Sequence, residues 1–582
     1  MAENLRLHED PHRRGSLRSW GSWGLWGALA WAVVLLGSLA ALRTWHARFA
    51  DYVYEDAFIA YRFSDNWARG LGPTWNAGED PVEGFTSPLW VALGAAGEWL
   101  FGVMPDATMP VLGVLSWLAL VLLILPWAAT RLSSGSSPRL TAALLLVAAL
   151  AIAAAAPLAL QIWAGLETTA FVALLTWTIA YAAVVTPSRA GYLGLATLSM
   201  LTISVRPDAV AALGPAWLLA VWRRDPVARW HAFTGAAALA GMLAVYVAVR
   251  AAYYGHLLPN TFNVKHGGWT AGAVQVGYFL ERIWWMPAAW LVLIGLDRGR
   301  LLRDRAFLCL ALAAILFTAA YLRIEPMQAW AFRFLIPTLP LWVLATVRAV
   351  AVLAGRESAA WRRVVAVALG VASIVATTVG LELFYRSDQG RLRGFFHNVR
   401  DFHVPVSRAL GDLSDLEPPP VLGTADVGAF PYYTHMPTLD LAGLCDEHIA
   451  RHGLTHDYLT AHKPDVLLLQ DLPLTRSKET AERDSTGLAD LPVFEVGGTL
   501  WTIDKRRHRQ LPADFSKVHS GLATSYIVAT MPGFASEYEH VATMAFRGYD
   551  TYEFFVRTAY PARDELVRRL RAALPRRGQA AR

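Results

Sequence analysis

Two adjacent carboxylates, Glu55 and Asp56, stand just past the end of the chain's first apolar run. A carboxylate at a membrane exit costs solvation free energy unless it has a partner or a task. There it can act as a general base toward a hydroxyl acceptor. Two close carboxylates also repel, which raises the pKa of one of them. They open the segment EDAFIAYRFSDNWARG, in which Asp56, Ile59, Ala60, Phe63 and Trp67 recur at helical spacing while Arg62, Asn66 and Arg69 lie off that stripe. Gly70, Gly72 and Pro73 end the pattern. The spacing predicts an amphipathic helix lying on the membrane surface, with both acids in the first turn, where the helix dipole favours negative charge. Acids in that position also serve as plain caps, and the sequence leaves both roles open. Downstream, NAGEDPVEGFTSPLW (76–90) sets Glu83, Thr86, Ser87 and Pro88 at the start of a further helix, which the hydroxyls could cap.

The elements that must position these residues are mostly apolar. The chain has 582 residues, 55% hydrophobic and 17% charged; a soluble protein carries about 25% charged residues. Apolar runs of spanning type occur at about 22–42, 110–130, 140–160, 168–186, 190–205, 208–222, 231–251, 285–297, 305–322, 333–354 and 362–383. The run at 88–103 contains Glu98 and is followed by no basic loop, so it reads as interfacial or re-entrant. From about Tyr385 onward the composition is that of a soluble domain. The expected organisation is a tail (1–21), a transmembrane domain (22–384) with a large first loop (43–109), and a soluble α/β domain (385–582).

Arginine placement orients the chain. With Arg13, Arg14 and Arg18 in the cytoplasm, eleven spans leave Arg131, Arg139, Arg189, Arg223, Arg224 and Arg229 on the same side. Arg298, Arg300, Arg303, Arg305, Arg356, Arg362 and Arg363 join them. The opposite, outer face then receives the soluble domain and the loops 43–109, 161–167, 206–208, 252–284 and 323–333. Those loops hold acids, amides, a lysine and aromatics, so a site assembled from them at the mouth of a helix bundle is the default expectation. The net charge of +6 lies mainly in short loops between apolar runs and implies no nucleic-acid partner. Cys309 and Cys445 lie in different domains and have no metal-ligand spacing. In the soluble domain, 421–430, 465–470 and 493–505 read as strands and 562–574 as a helix. Asp426 and Asp440 adjoin strand-like runs, where turn and strand-end roles compete with glycan binding.

The string EDAFIAYRFSDNWARGLGPTWNAGEDPVEGFTSPLW resembles the first outer loop of bacterial GT-C membrane glycosyltransferases. The best-known branch of that family is the mycobacterial terminal arabinofuranosyltransferases. GLETT (165–169), VRPDA (205–209), YYGHLLPNTFNVK (253–265), AFRFLIPTLP (331–340) and TADVGAFPYYT (424–434) agree with the family in the same order. The resemblance implies about eleven helices with a periplasmic α/β domain. It also implies a polyprenyl-phosphate-linked sugar as donor, a cell-envelope glycan or glycolipid as acceptor, and residence in a bacterial inner membrane. Glu55 stands where the arabinosyl branch has Asp, whereas Asp56 matches and is the preferred base.

Such a transfer needs a base for the acceptor proton and cations for the leaving phosphate. Arg206, Lys265, His266 and Arg333 are the candidate cations. Each also has a plainer role: a pair with Asp208 for Arg206, a snorkelling anchor for Arg333, and loop solvation or headgroup contact for Lys265 and His266. Arg62, Glu83, Glu167, Asp208 and Asn260 are the candidates for sugar and acceptor contacts; Glu167 could instead cap the next helix, and Asn260 sits in a turn signal. No nucleotide-binding or zinc pattern occurs, and no cofactor is required. A divalent cation at Glu55 and Asp56 is compatible with carboxylate chemistry. A transporter would show paired half-repeats and mid-membrane charges, and neither is evident. A non-catalytic glycan-binding scaffold would leave the acidic pair with capping alone.

Overall fold

The computed structural model describes residues 24–264, 269–324, 330–356, 359–470, 474–476, 493–496, 499–503, 521–545 and 551–574. The chain is a polytopic α-helical membrane protein. Six helical stretches are long and apolar enough to cross a bilayer: Trp26–Phe49, Pro105–Leu132, Pro226–Tyr254, Arg305–Arg323, Trp330–Arg356 and Ala360–Leu410. Ala271–Ile283 and Trp285–Leu296 qualify together but are bent by 60°. The apolar helices Pro138–Ala153, Thr168–Val184 and Pro207–Val221 are shorter. Each of the eleven apolar runs of the sequence thus falls on helix, the remaining one being Arg189–Val205. The Pro88–Phe101 helix, at 14 residues, is about 21 Å long and too short to cross a core of about 30 Å.

The Trp330–Arg356 stretch lies at the centre of the bundle, 94% buried over its apolar window. A helix apolar all round belongs in such a core. Between membrane helices, small side chains and hydroxyls permit close approach. Gly235 lies against the backbone of Tyr192, the Thr178 and Thr202 hydroxyls meet at 2.8 Å, and Trp290 Nε1 donates to Thr346 Oγ1 at 2.9 Å.

The last membrane helix, Ala360–Asn398, has 39 residues, or about 58 Å. That exceeds the bilayer core, so its final turns stand clear and continue through a π-helical turn, Val399–His403, into Val404–Leu410. The helical run passes straight through residue 385.

Beyond it lies a five-stranded sheet in the order β2-β1-β3-β8-β7. Its strands are β1 (Leu422–Thr424), β2 (Thr438–Asp440), β3 (Val466–Gln470), β7 (Tyr538–Ala545) and β8 (Thr551–Arg557). β1 runs parallel to β2 and β3, and β8 runs antiparallel to β3 and β7. A second sheet joins β4 (Leu474–Arg476), β6 (Thr499–Ile503) and β5 (Val493–Val496). Alternation divides the first sheet into two apolar faces. Val466, Leu468, Phe554 and Val556 pack with Phe402 and Leu566 on one, and Leu467, Leu469 and Phe555 with Ile449 and Phe534 on the other. The strand expected over 421–430 is shorter: only Leu422–Thr424 is extended, and Ala429–Thr434 is a helix. β7 and β8 escaped the sequence reading. β8 is buried on both faces, which erases the period-two signal.

The helix over Ala57–Ala68 forms where expected but does not lie on the membrane surface. Every residue from Ala57 to Asn66 is buried. Its polar face meets protein in place of headgroups: Ser64 Oγ donates to Val91 O at 2.9 Å, and Arg62 Nη1 to Pro431 O at 2.6 Å. Val427, Ala429, Tyr432 and Cys445 of the sheet region belong to the same apolar core as the membrane helices.

Candidate active site: a charged cavity between bundle and sheet

A cavity of about 410 Å³ opens where the first loop, the bundle and the sheet converge. The acidic pair forms part of its wall. Asp56 occupies the N-cap position of the Ala57–Ala68 helix yet makes no side-chain capping bond. Its carboxylate is 29% exposed, and Oδ2 lies 3.4 Å from Arg333 Nη1, at the long end of hydrogen-bond range. Glu55 turns away. Its Oε1 accepts the backbone N–H groups of Gly428 at 2.9 Å and Ala429 at 2.8 Å, and a Cβ on Gly428 would collide with the Glu55 backbone and carboxylate. The two acids therefore do different work despite being neighbours: one ties the first loop to the start of the Ala429–Thr434 helix, and the other faces a cation at the cavity wall.

Arg333 is delivered by an uncommon backbone. Ala331 and Phe332 both have positive φ, 51° and 57°, a conformation costing about 1–2 kcal/mol per residue without glycine and recurrent at functional sites. The kink is held by Leu335 N donating to Phe332 O at 2.8 Å and by Tyr54 OH donating to Trp330 O at 3.1 Å. The Arg333 guanidinium lies between the rings of Tyr54 and Phe334, 5.2 and 5.1 Å from their centroids. Arg206 approaches the same Phe334 ring at 5.2 Å and Phe171 at 4.8 Å. Aromatic contact of this kind holds a guanidinium in place without neutralising it.

Arg206 itself is tied to Asp208 through bonds of 3.1 and 2.6 Å and to Tyr321 OH at 2.7 Å. Its Nη1 is 4.0 Å from Glu167 Oε1. Glu167 lines the cavity, and although it precedes the Thr168–Val184 helix it makes no capping bond. Ser87 likewise lines the cavity without capping the helix that follows it. A second cavity cation, Arg391, lies 5.1 Å over Trp330 and pairs with Asp388 at 2.9 Å.

Across from these groups stands Asp426, whose Oδ2 accepts the Tyr552 hydroxyl at 2.9 Å. Asn398 Nδ2 in turn donates to that hydroxyl at 2.9 Å. The imidazole of His403, 1% exposed, reaches toward both walls: Nδ1 is 3.6 Å from Glu55 Oε1 and Nε2 is 3.9 Å from Asp426 Oδ2. His403 closes the π-helical turn, a feature common at functional sites.

Of the residues singled out from sequence, Glu55, Asp56, Thr86, Ser87, Glu167, Arg333 and Asp426 line the cavity. Arg206 and Asp208 sit beside it through Glu167. Arg62, Glu83 and Asn260 lie outside it as ties. Arg62 donates to three backbone carbonyls and to Asn76. Glu83 pairs with Arg250. Asn260 Nδ2 donates to Gly443 O at 2.8 Å and Leu444 O at 3.0 Å. Lys265 and His266 lie outside the described residues. Sequence reasoning missed Arg391, Asn398, His403, Gln470 and Tyr552. Arg391, Phe395 and Asn398 recur at i, i+4 and i+7, so continuing the helical period past residue 384 would have found them.

Residues 397–555, about a quarter of the chain, match a family model described as a domain of unknown function, DUF8728. No curated protein matches the chain. Among solved structures, ArnT from Cupriavidus metallidurans bound to undecaprenyl phosphate is similar with a TM-score of 0.49 and 14% identity, covering 81% of this chain and 97% of that one. The apo state of the same protein gives a TM-score of 0.47 and 15% identity, covering 82% and 97%.

Proposed function

We propose that the chain is a GT-C-type membrane glycosyltransferase. It moves a sugar from a polyprenyl-phosphate donor to a cell-envelope glycan or glycolipid, with Asp56 as the base. The observation that carries this reading is the meeting of Asp56 and Arg333 at the wall of one cavity, at the mouth of a membrane bundle. A lipid-linked donor presents its sugar at that level, so the catalyst must stand there too.

In the reaction, Asp56 takes the proton of the acceptor hydroxyl as that oxygen bonds to the anomeric carbon. The bond from that carbon to the phosphate oxygen breaks, and its electron pair leaves with the polyprenyl phosphate. Arg333 and Arg391, both at the cavity wall, offset the charge arriving on the phosphate. The Asp56–Arg333 contact is long enough for the guanidinium to turn toward a bound phosphate. The ordered sequence resemblance to terminal arabinofuranosyltransferases favours arabinofuranose as the sugar. The arginine distribution favours a cytoplasmic N-terminus and a periplasmic sheet domain in a bacterial inner membrane.

The test is sugar transfer by the full-length protein in nanodiscs. Radiolabelled polyprenyl-phosphate arabinofuranose and mannose are offered to wild type and to Asp56→Asn. General-base loss should lower turnover by about 10²–10⁴-fold in a variant whose melting temperature matches wild type. Equal turnover by both would remove Asp56 from the role, and no transfer from any donor would overturn the glycosyltransferase reading.

A further inference from the structure

The cavity is lined from two sources, the helical bundle with its first loop and the sheet. Arg333 and Arg391 belong to the bundle side, Arg391 over Trp330 and Arg333 beside Asp56. The other wall is the carboxyl-terminal edge of the parallel strands. Ala425, Asp426 and Val427 follow β1, Ala442 and Leu444 follow β2, and Gln470 ends β3; all line the cavity. β8 runs antiparallel to β3 and pairs Tyr552 with Gln470, which brings Tyr552 to the same edge. The chain leaves β1 toward β2 on one side, while β3 is flanked on its other side by β8. In open α/β sheets, ligands bind outside the carboxyl ends of strands where the connections diverge in this way.

We propose that this edge is a sugar-binding wall and that Asp426 is its specificity-determining residue, accepting hydrogen bonds from sugar hydroxyls. This rests on the glycosyltransferase reading above and assigns the sugar's place within it. Asp426 is prepared for such a role. Tyr552 OH accepts from Asn398 Nδ2, so its own proton is directed to Asp426 Oδ2. That donor fixes the carboxylate's orientation, while 26% of the side chain stays open at the cavity wall. An oriented carboxylate holds vicinal hydroxyls well but opposes phosphate. A lipid-linked sugar would therefore lie with its phosphate toward Arg333 and Arg391 and its hydroxyls toward the sheet. The hydroxyls belong either to the departing donor sugar or to the incoming glycan.

The experiment uses Asp426→Asn in the full-length protein in nanodiscs, with Tyr552→Phe as the orienting control. Donor KM, acceptor KM and the affinity for undecaprenyl phosphate without sugar are measured separately. Losing a charge-assisted hydrogen bond should raise one KM about tenfold or more. A rise in donor KM places the donor sugar on the wall, and a rise in acceptor KM places the glycan there. Undecaprenyl phosphate affinity should stay within about twofold of wild type, since the phosphate lies at the other wall. Tyr552→Phe should shift the same KM in the same direction by a smaller factor. Unchanged KM values, or equal losses of sugar and undecaprenyl phosphate affinity, would overturn the proposal. Saturation-transfer NMR with methyl arabinofuranoside and methyl mannoside separates this idea from the parent reading. A signal that depends on Asp426 upholds the wall even where transfer fails, and no signal from wild type overturns it.

Discussion

Glu55 and Asp56 differ in what their side chains meet, and that difference decides which one can take a proton. Glu55 Oε1 already accepts two backbone amides and is buried; accepting a proton there would disturb a built joint. Glu55→Gln keeps an acceptor oxygen for those amides, so it should retain transfer and fold close to wild type. Glu55→Ala leaves both amides buried without an acceptor, at about 1–3 kcal/mol each, and should lower the melting temperature markedly. Full loss of turnover in a stable Glu55→Gln protein would transfer the base role from Asp56 to Glu55. Fluorimetric melting beside the transfer assay reads both quantities on the same samples.

Which of these roles could be read from sequence follows from distance along the chain. Glu55, Asp56, Glu167 and Arg333 were legible because each sits at the edge of an apolar run, where a charge needs a reason. The division of labour between Glu55 and Asp56 was not, since the amides that occupy Glu55 come from residues 428 and 429, far along the chain. Arg62, Glu83 and Asn260 looked like ligand contacts for the same reason: each is a polar group between apolar runs whose partner is remote in sequence.

At the scale of elements, the Ala57–Ala68 and Pro88–Phe101 helices pack together and share an acid pair of their own. Burial first, and the nearby Asp65 second, push the Glu98 carboxyl from its ordinary 4.5 up to about 8. Burial opposes the ionisation of Asp65, but His435 and Arg69 outweigh it and hold that carboxyl below its ordinary value. His435 Nε2 is 3.2 Å from Asp65 and Nδ1 is 3.2 Å from Asp412. A raised carboxyl pKa means that the fold favours the protonated form. The contribution of Glu98 is therefore fully present below pH 4.5 and is lost as pH rises through about 8. Glu98→Gln cannot ionise, so its melting temperature should draw ahead of wild type between pH 5 and 8 and then hold a constant lead. A lead of the same size at every pH would show that Glu98 does not titrate in this window. The Ala57–Ala68 helix itself was legible from periodicity; its burial against the Pro88–Phe101 and Ala429–Thr434 helices was not, because an amphipathic pattern marks a polar face without saying whether water or protein covers it.

At the scale of the whole molecule, bundle and sheet form one structure around the cavity. Residues of both share an apolar core, and the first loop reaches into the sheet region directly. Asn76 exchanges hydrogen bonds with the backbone of Thr438 at 3.1 and 3.0 Å, extending edge strand β2. Arg62 binds the two parts more firmly. It is 4% exposed, stacks 4.5 Å over Trp75, and donates to Trp75 O, Asn76 Oδ1, Pro431 O and Met436 O. Burial lowers its pKa to about 10, which leaves it charged throughout the neutral range. Arg62→Met fills similar volume but removes four charge-assisted hydrogen bonds from a buried site, a cost on the order of 3 kcal/mol or more. Because the core is continuous, that cost should lower a single cooperative melting transition of the whole chain and not detach the sheet as a separate unit. Turnover should fall with it, since Asp426 and Asp56 line one cavity only while the two parts stay joined. Differential scanning calorimetry of wild type and Arg62→Met checks the coupling. One shifted transition fits a shared structure, whereas a split into two, with the helix-bundle transition unmoved, would mean that the sheet domain is an independent unit that merely rests on the membrane helices.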